Sequence, residues 1–179
     1  HRGGPGARRR AVGVVGAVTP WNNPLAIPLG KIAPALAFGN AVLWKPSPAG
    51  AGVAEALAAL LPEGLVGLVH GDGSTARHVA LHVDALTVTG SPAAGWALQE
   101  AAASRSIPFQ AELGGNNGAI VWDGADLEAA AAAVADAAFA FAGQRCTATR
   151  RAILPGALHD RFARLVTDAA ALLPWGDPL

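Results

Sequence analysis

The sequence predicts an α/β fold with a doubly wound, largely parallel sheet. Two observations support this prediction. Short apolar runs of strand length alternate with longer stretches in which apolar residues recur at helical spacing, and the connections between them are short. The 22 glycines and 13 prolines stand mainly at the ends of these stretches, where such residues terminate helices and strands.

The first part of the chain is expected to supply five strands with a helix between successive strands. Apolar runs predict strands at residues 11–18, 41–45, 65–69, 84–89 and 109–113. Helical periodicity predicts helices at residues 25–38, 50–61, 74–81 and 92–103. Gly39 and Asn40 suit the end of the first helix, whereas Ser91 and Pro92 suit the N-cap and the first position of the fourth.

The second part of the chain continues the alternation of strands and helices. Strands are expected at residues 119–122 and 151–154, and helices at 126–142 and 158–172, the first of them opened by Asp126. The Gly- and Arg-rich residues 1–10 predict a basic flexible tail. A boundary between two domains is expected near Gly114 and Gly115, with no spacer between the domains.

Composition and charge narrow the range of functions. With 179 residues, 52% hydrophobic and 15% charged, the chain has enough apolar surface for a packed core, which excludes general disorder. A formal net charge of +0 argues against a nucleic-acid partner. The single cysteine argues against a disulfide framework and favours a reducing, cytoplasmic location. Every apolar run is shorter than the roughly 18 residues of a membrane span, so we expect no membrane contact.

Three polar residues stand at or just after the ends of predicted strands. Ser91 follows Gly90 at the start of a helix, where backbone N–H groups can bind phosphate, although an ordinary strand–helix turn has the same pattern. Asn22 lies on a proline-rich loop, where its amide suits an oxyanion or only turn formation. Lys45 can meet a ribose or phosphate, or extend from the sheet edge into solvent.

Two further residues carry reactive groups. Cys146 lies in a polar loop near Arg145, Arg150 and Arg151, and positive neighbours favour the thiolate, whereas a lone cysteine is otherwise a small buried apolar residue. Glu112 stands in an otherwise apolar strand, where burial would make its carboxylate a stronger base at neutral pH. The alternative for Glu112 is an ion pair with one of the arginines.

Five short motifs stand at the ends of predicted elements or in the loops after them. They are Pro20-Trp21-Asn22-Asn23-Pro24, Lys45-Pro46-Ser47, Thr89-Gly90-Ser91, Glu112-Leu113-Gly114-Gly115 and Gly143-Gln144-Arg145-Cys146. In this order they resemble the motifs of the NAD(P)-dependent aldehyde dehydrogenases, over about residues 11–179. The spacing is similar too, with 23 positions from Asn22 to Lys45 and 34 from Glu112 to Cys146. The last two motifs at that spacing are the most specific part of the resemblance.

The resemblance implies a Rossmann-like dinucleotide-binding domain at residues 11–115 and the N-terminal part of a catalytic domain at 116–179. It implies oxidation of an aldehyde to a carboxylic acid, with hydride transfer to NAD or NADP. Cys146 would be the nucleophile that forms a thiohemiacetal and then a thioester. Asn22 would hold the oxyanion together with the Cys146 backbone N–H, and Glu112 would activate water. The implied cofactor-binding residues are Trp21, Lys45, Ser47, Gly90, Ser91, Gly95 and Leu113.

The sequence departs from the family pattern in three ways. Asn23 replaces a residue that is aromatic in many members, which bears on the substrate. Pro48 replaces a glutamate that many NAD-preferring members use for the ribose hydroxyls, so NAD and NADP both stay open. Segments on either side are absent, including a Glu-Glu-x-Phe-Gly-Pro motif and the strands that build the dimer.

The segments of the family pattern that are missing from this sequence lead to expectations about partners and activity. A second copy or a partner chain would supply the missing segments, and the chain alone would show weak or no dehydrogenase activity. One alternative is a catalytically silent binding or assembly module of the same fold. Another is an esterase-like activity of Cys146 and Glu112 without hydride transfer. We expect no metal site, because His78 and His82 suit a solvated helix face without a third ligand.

Overall fold

The computed structural model of the chain describes residues 10–177, in which the chain forms two compact units that divide between Gly114 and Gly115. The predicted tail at residues 1–10 lies outside the described residues except for Arg10, which is exposed. In the described range, no helix combines the length and the apolar character needed to span a lipid bilayer.

Five parallel strands form the sheet of the first unit, which confirms the predicted α/β fold. The strands are β1 Val14–Thr19, β2 Ala41–Pro46, β3 Val66–Leu68, β4 Ala85–Gly90 and β5 Phe109–Leu113. They lie in the order β3-β2-β1-β4-β5. The chain therefore adds β2 and β3 on one side of β1, and then crosses to add β4 and β5 on the other side. This is the doubly wound order of a Rossmann-like sheet.

Helices cover both faces of this sheet. They are α1 Ala26–Ala37, α2 Ala51–Ala58, α3 Gly73–Ala80 and α4 Pro92–Ser104. On one face, Ile32 of α1 belongs to a buried cluster with Trp44 of β2. On the other face, Val79 of α3 and Leu98 of α4 belong to a second cluster with Val88 of β4. The sheet is therefore sandwiched between two helical layers.

Polar caps and turns set the ends of several elements. Ser91 Oγ accepts from the Ala94 backbone N–H at 3.2 Å, so Ser91 is the N-cap that the sequence predicts. β1 begins at residue 14 rather than at the predicted residue 11, because the Val12 and Gly13 N–H groups donate to Asn40 Oδ1 at 2.7 and 3.3 Å instead of joining the strand ladder.

The second helix is shorter than predicted at both ends. Residues 48–50 form a 3₁₀ turn, and α2 itself covers Ala51–Ala58 rather than residues 50–61. After Ala58, the Leu61 N–H donates to the Ala58 carbonyl, a 3₁₀-type bond that tightens the final turn and ends the α-helix.

The second unit pairs two parallel strands with two helices. The strands are β6 Asn117–Ile120 and β7 Thr149–Ile153, and the helices are α5 Leu127–Phe139 and α6 His159–Ala171. Its core cluster consists of Val121, Leu127, Ala131 and Phe162. Asp126 caps α5 as expected, but α5 ends three residues before the predicted residue 142. It ends there because Phe141 and Ala142 have φ values of 57° and 53°, in the left-handed region that a right-handed helix cannot include.

Trp44 provides a test of the packing in the first unit. Its side chain is fully buried, and its Nε1–H donates to Thr19 Oγ1 at 2.8 Å. Trp44→Phe removes the donor and leaves a cavity, so we expect the free energy of unfolding to fall by about 2–4 kcal/mol. The control Trp96→Phe, at a residue that is 68% exposed, should change it by less than about 0.5 kcal/mol. Urea denaturation followed by circular dichroism measures the free energy of unfolding of both variants. Equal effects of the two substitutions would show that Trp44 is not a central residue of the core.

Candidate active site

The carboxyl ends of the five parallel strands meet at one edge of the first unit's sheet. The loop after β1 contains Trp21 and Asn22 and leads to α1. β4 ends at Gly90, and Ser91 then begins α4 on the opposite face. Between β1 and β4 the connections diverge, and open α/β sheets bind ligands in the crevice at such a point. The same edge carries Lys45 and Ser47 at the end of β2 and Glu112 and Leu113 at the end of β5.

Lys45 is a buried cation at this edge. The residue is only 5% exposed, and within residues 10–177 it forms no ion pair. Burial lowers the pKa of its ammonium group, and attraction to Asp72 partly opposes this shift. Asp72 itself caps α3, and a hydrogen bond from the Ser74 hydroxyl holds its pKa below the usual range. The Lys45 ammonium group is therefore suited to bind an anionic or hydroxyl-bearing ligand.

The end of β4 also fits such a ligand. Thr89 Oγ1 is buried and has no hydrogen-bond partner in the part of the chain that the structure describes. The space where a Gly90 side chain would stand is open, with no heavy atom within 4 Å. Ser91 then begins α4, whose N-terminus favours negative charge. An unsatisfied hydroxyl, open space and a helix N-terminus fit the phosphates and hydroxyls of a dinucleotide.

Gly95 and Leu113 contact each other. A Cβ atom on Gly95 would lie 2.6 Å from Leu113 Cδ2, so glycine allows α4 to pack closely on the end of β5. This contact explains why glycine suits position 95. That either residue touches a cofactor stays a prediction.

Asn22 and Asn23 differ in their local bonds. Asn23 Oδ1 accepts from the Ala26 N–H at 3.3 Å, and its carbonyl accepts from the Ile27 N–H at 3.3 Å, so Asn23 bonds to the first turn of α1 from the loop before it. Asn22 is half-buried in the loop before it, beside the exposed Trp21. Asn23 therefore takes part in the turn before α1, and the role of Asn22 stays a prediction.

The expectation that Glu112 is buried among apolar residues was wrong. Glu112 is exposed, because β5 is the edge strand of the sheet. Gln110 Nε2 donates to Glu112 Oε1 at 3.3 Å. The cation attracted to Glu112 is Lys31 of α1 rather than an arginine. Burial lowers the Lys31 pKa, and the Glu112 charge opposes that shift. No pattern in the sequence indicated a role for Gln110 or Lys31.

In the second unit, Cys146 lies in an exposed loop between α5 and β7. Its backbone carbonyl accepts from Asn117 Nδ2 at 2.6 Å, and the same group donates to the Ala148 carbonyl at 3.1 Å. Asn117 therefore fixes this loop from the neighbouring strand. This role of Asn117 was not predicted, and its only signal in the sequence is the position of Asn117 shortly after Gly114 and Gly115.

The three arginines near Cys146 in sequence have other partners. Arg145 lies over the Phe141 ring at 5.8 Å from its centroid. Arg150 donates to the Gly143 carbonyl at 2.8 Å, and Arg151 donates to the Asn116 carbonyl at 3.0 Å. These contacts stabilise the loop, so the structure gives the arginines a structural role that the sequence did not indicate.

His78 lies on α3, whereas His82 lies in the bend after it, so the two do not share a helix face as the sequence predicts. His78 Nδ1 lies 2.9 Å from the Ser74 carbonyl, and His82 Nδ1 lies 2.8 Å from the His78 carbonyl. Among residues 10–177, no three His, Cys, Asp or Glu side chains cluster as metal ligands would.

This chain is similar to known proteins in both sequence and fold. Residues 5–179 match the family model of the aldehyde dehydrogenase family. The chain belongs to the aldehyde dehydrogenase family. It is 42% identical to alpha-ketoglutaric semialdehyde dehydrogenase of Bacillus subtilis, over 96% of this chain and 37% of that protein.

Solved structures of aldehyde dehydrogenases have the same fold. The NAD-dependent enzyme from Sinorhizobium meliloti is 35% identical, with a TM-score of 0.88 over 94% of this chain and 35% of that one. Aldehyde dehydrogenase C from Pseudomonas syringae, a cysteine-to-alanine variant in complex with NAD⁺ and octanal, is 35% identical, with a TM-score of 0.87 over 95% of this chain and 37% of that one. The chain spans little more than a third of the length of these proteins.

The lowered pKa of Lys45 can be measured directly. The chain contains two lysines, so ¹³C-labelled lysine gives two side-chain NMR signals, and Lys45→Met identifies one of them. We expect the Lys45 pKa below its usual value of 10.5, because burial disfavours the charged form. The unfolded chain then binds the proton more tightly, so the free energy of unfolding should rise as pH increases from the folded-state pKa towards 10.5. Lys45→Met should reduce that rise, and a Lys45 pKa at or above 10.5 would contradict the prediction.

The left-handed turn before Cys146 predicts an unusual effect of glycine. Ala142 has a φ of 53°, which is unfavourable for a residue with a Cβ atom. Ala142→Gly should raise the free energy of unfolding by about 1 kcal/mol. The same change at Ala137, exposed within α5, should lower it by about 1 kcal/mol. Thermal unfolding compares the two variants, and effects of the same sign would show that Ala142 is unstrained.

Proposed function

We propose that this chain is the part of an aldehyde dehydrogenase that binds NAD⁺ or NADP⁺ and carries the nucleophile. One observation carries the proposal. The carboxyl edge of the first unit's sheet combines the buried Lys45 cation, the unsatisfied Thr89 hydroxyl and the N-terminus of α4 at a switch point of strand order. The complex of the Pseudomonas syringae relative with NAD⁺ and octanal supports it. The substrate class is therefore an aldehyde.

Lys45 binds the adenosine ribose in this proposal, and Gly90 and Ser91 bind the pyrophosphate. Ser47 is a further cofactor-binding residue. Trp21, Gly95 and Leu113 shape the cleft around the nucleotide. The burial of Lys45 supports its role at the ribose, and the open space at the position of a Gly90 Cβ atom supports the pyrophosphate site. A bound NAD⁺ or NADP⁺ supplies the acceptor for the hydride that leaves the substrate carbon.

Cys146 acts as the nucleophile. Its thiol first loses its proton to solvent. The thiolate sulfur then forms a bond to the carbonyl carbon of the aldehyde, and the carbonyl π electrons move onto oxygen. The Asn22 amide and the Cys146 backbone N–H donate to this oxyanion and stabilise the thiohemiacetal. When the oxyanion reforms the carbonyl double bond, the carbon loses its hydride and a thioester remains on Cys146. The exposure of the Cys146 loop supports this role.

Glu112 acts as the base in the hydrolysis of the thioester. It takes a proton from water while the water oxygen bonds to the acyl carbon. The carbon–sulfur bond then breaks, which releases the carboxylic acid and restores Cys146. The exposure of Glu112 at the edge strand supports this role, because a base for water must be accessible to solvent.

The proposal predicts that formation of NADH or NADPH from an aldehyde depends on Cys146. The rate of the chain alone is expected to be low. Cys146→Ser should lower it by a factor on the order of 10³ or more, because oxygen is a much weaker nucleophile near neutral pH. The neighbouring Thr147→Ser is the matched control and should retain the rate. Absorbance of the reduced nucleotide measures both variants with a panel of aldehydes.

Two measurements cover the case in which turnover is too slow to follow. NAD⁺ or NADP⁺ should raise the pKa of the Lys45 NMR signal, because the ligand is anionic. An activated aryl ester should acylate Cys146, as intact-protein mass spectrometry detects. A chain that neither binds nucleotide nor becomes acylated would overturn the proposed function, as would turnover that survives Cys146→Ser.

The exposed apolar side chains of the second unit favour a second candidate, an assembly module that needs a partner chain. Ile120 is 73% exposed, Trp122 67% and Ile153 50%. Large apolar side chains that are exposed together mark surfaces that bind other proteins. A second copy of the chain or a partner would cover them. Size-exclusion chromatography distinguishes the candidates, since a monomer that binds nucleotide would count against an assembly role alone. A cytoplasmic location also stays a proposal, supported by the single unpaired cysteine.

A further inference from the structure

Four polar side chains form a connected group on one face of the first unit. Gln110 and Glu112 are two residues apart on β5, so both side chains point to the same face of the sheet. Thr87 of β4 pairs with Gln110 in the strand register, and Lys31 approaches from α1. Lys31 Nζ donates to Gln110 Oε1 at 2.8 Å, the Thr87 hydroxyl donates to the same oxygen, and Gln110 Nε2 donates to Glu112 Oε1 at 3.3 Å.

The chemistry of Lys31 fixes the orientation of the Gln110 amide. An ammonium group is only a donor, so the amide oxygen must face Lys31. The Thr87 hydroxyl adds a second donor on the same side. The amide NH₂ is therefore directed towards Glu112, and the reverse orientation would set donor against donor.

Gln110 also separates Lys31 from Glu112. The two groups carry opposite charges, so each favours the charged form of the other; burial lowers the Lys31 pKa and Glu112 opposes this shift. They nevertheless form no ion pair within the described residues. With the amide removed, the ammonium group and the carboxylate could come together, and the carboxylate would then face Lys31 instead of substrate water.

We propose that Gln110 is a positioning residue for Glu112. It donates one N–H to Glu112 Oε1 and leaves the other carboxylate oxygen to accept the proton of the hydrolytic water. Glu112 is exposed on an edge strand, so packing alone does not fix its rotamer. The inference rests on the proposed function, because it concerns the base that hydrolyses the thioester.

Decay of the acyl-enzyme tests the proposal without nucleotide. The chain is mixed with p-nitrophenyl acetate, and intact-protein mass spectrometry follows formation and loss of acyl-Cys146. Gln110→Met removes every polar contact of the amide at nearly the same length. Gln110→Glu keeps acceptors for Lys31 and Thr87 but loses the donor to Glu112. Both variants should slow deacylation roughly 10- to 100-fold while acylation stays within about twofold of the unsubstituted chain.

Matched variants separate the outcomes. Gln99→Glu, at an exposed position of α4, introduces the same charge and should leave both steps unchanged. Normal deacylation in Gln110→Glu would overturn the proposal, because it would show that the donor is not needed. Equal slowing of acylation and deacylation would also overturn it, since a purely structural role has that effect.

Glu112→Gln distinguishes failure of this inference from failure of the proposed function. If Glu112→Gln slows deacylation but the Gln110 variants do not, only the positioning role is wrong. If Glu112→Gln leaves deacylation unchanged, Glu112 is not the base, and the proposed function loses that step together with the role of Gln110. Slow deacylation in Glu112→Gln and in both Gln110 variants supports the inference.

Discussion

The parallel pairing of β1 with both β2 and β4 is the constraint on which the candidate site depends. Val18 pairs with Lys45 on one side and with Val88 on the other, so one register places the ends of three strands at the same level. A slip of one residue would send Lys45 to the opposite face of the sheet. The buried bond from Trp44 to Thr19 stabilises this register from within the core. The strand register and the buried hydrogen bond between Trp44 and Thr19 therefore position the candidate site.

Local signals made much of this fold predictable from the sequence. The type and order of the strands and helices follow from apolar spacing within single segments, and the caps at Ser91 and Asp126 follow from the side chain at one position. Element ends were less predictable, because they depend on partners elsewhere in the chain. Asn40, for example, takes the N–H groups that would otherwise begin β1 two residues earlier.

Contacts between distant segments explain what the sequence could not predict. Glu112 belongs to a strand whose pattern is compatible with burial, but strand order places β5 at the sheet edge, where the residue is exposed. Lys31 and Gln110 are 79 residues apart, and Asn117 and Cys146 are 29 apart. No pattern within one segment indicates such pairs, so the candidate residues were predictable by motif whereas their surroundings were not.

The carboxyl edge of the first sheet contains polar groups that are unfavourable without a ligand. The Lys45 ammonium group is buried without an ion pair, and the Thr89 hydroxyl lacks a partner, both within the described residues. Burying such groups without compensation destabilises a fold. A ligand that offers phosphate and hydroxyl oxygens would satisfy both, and a ligand that binds only the folded state stabilises it. The Lys45 ammonium group and the Thr89 hydroxyl would therefore couple nucleotide binding to the stability of the first unit. The contact between Gly95 and Leu113 needs no ligand, so it would stabilise the fold equally with and without nucleotide.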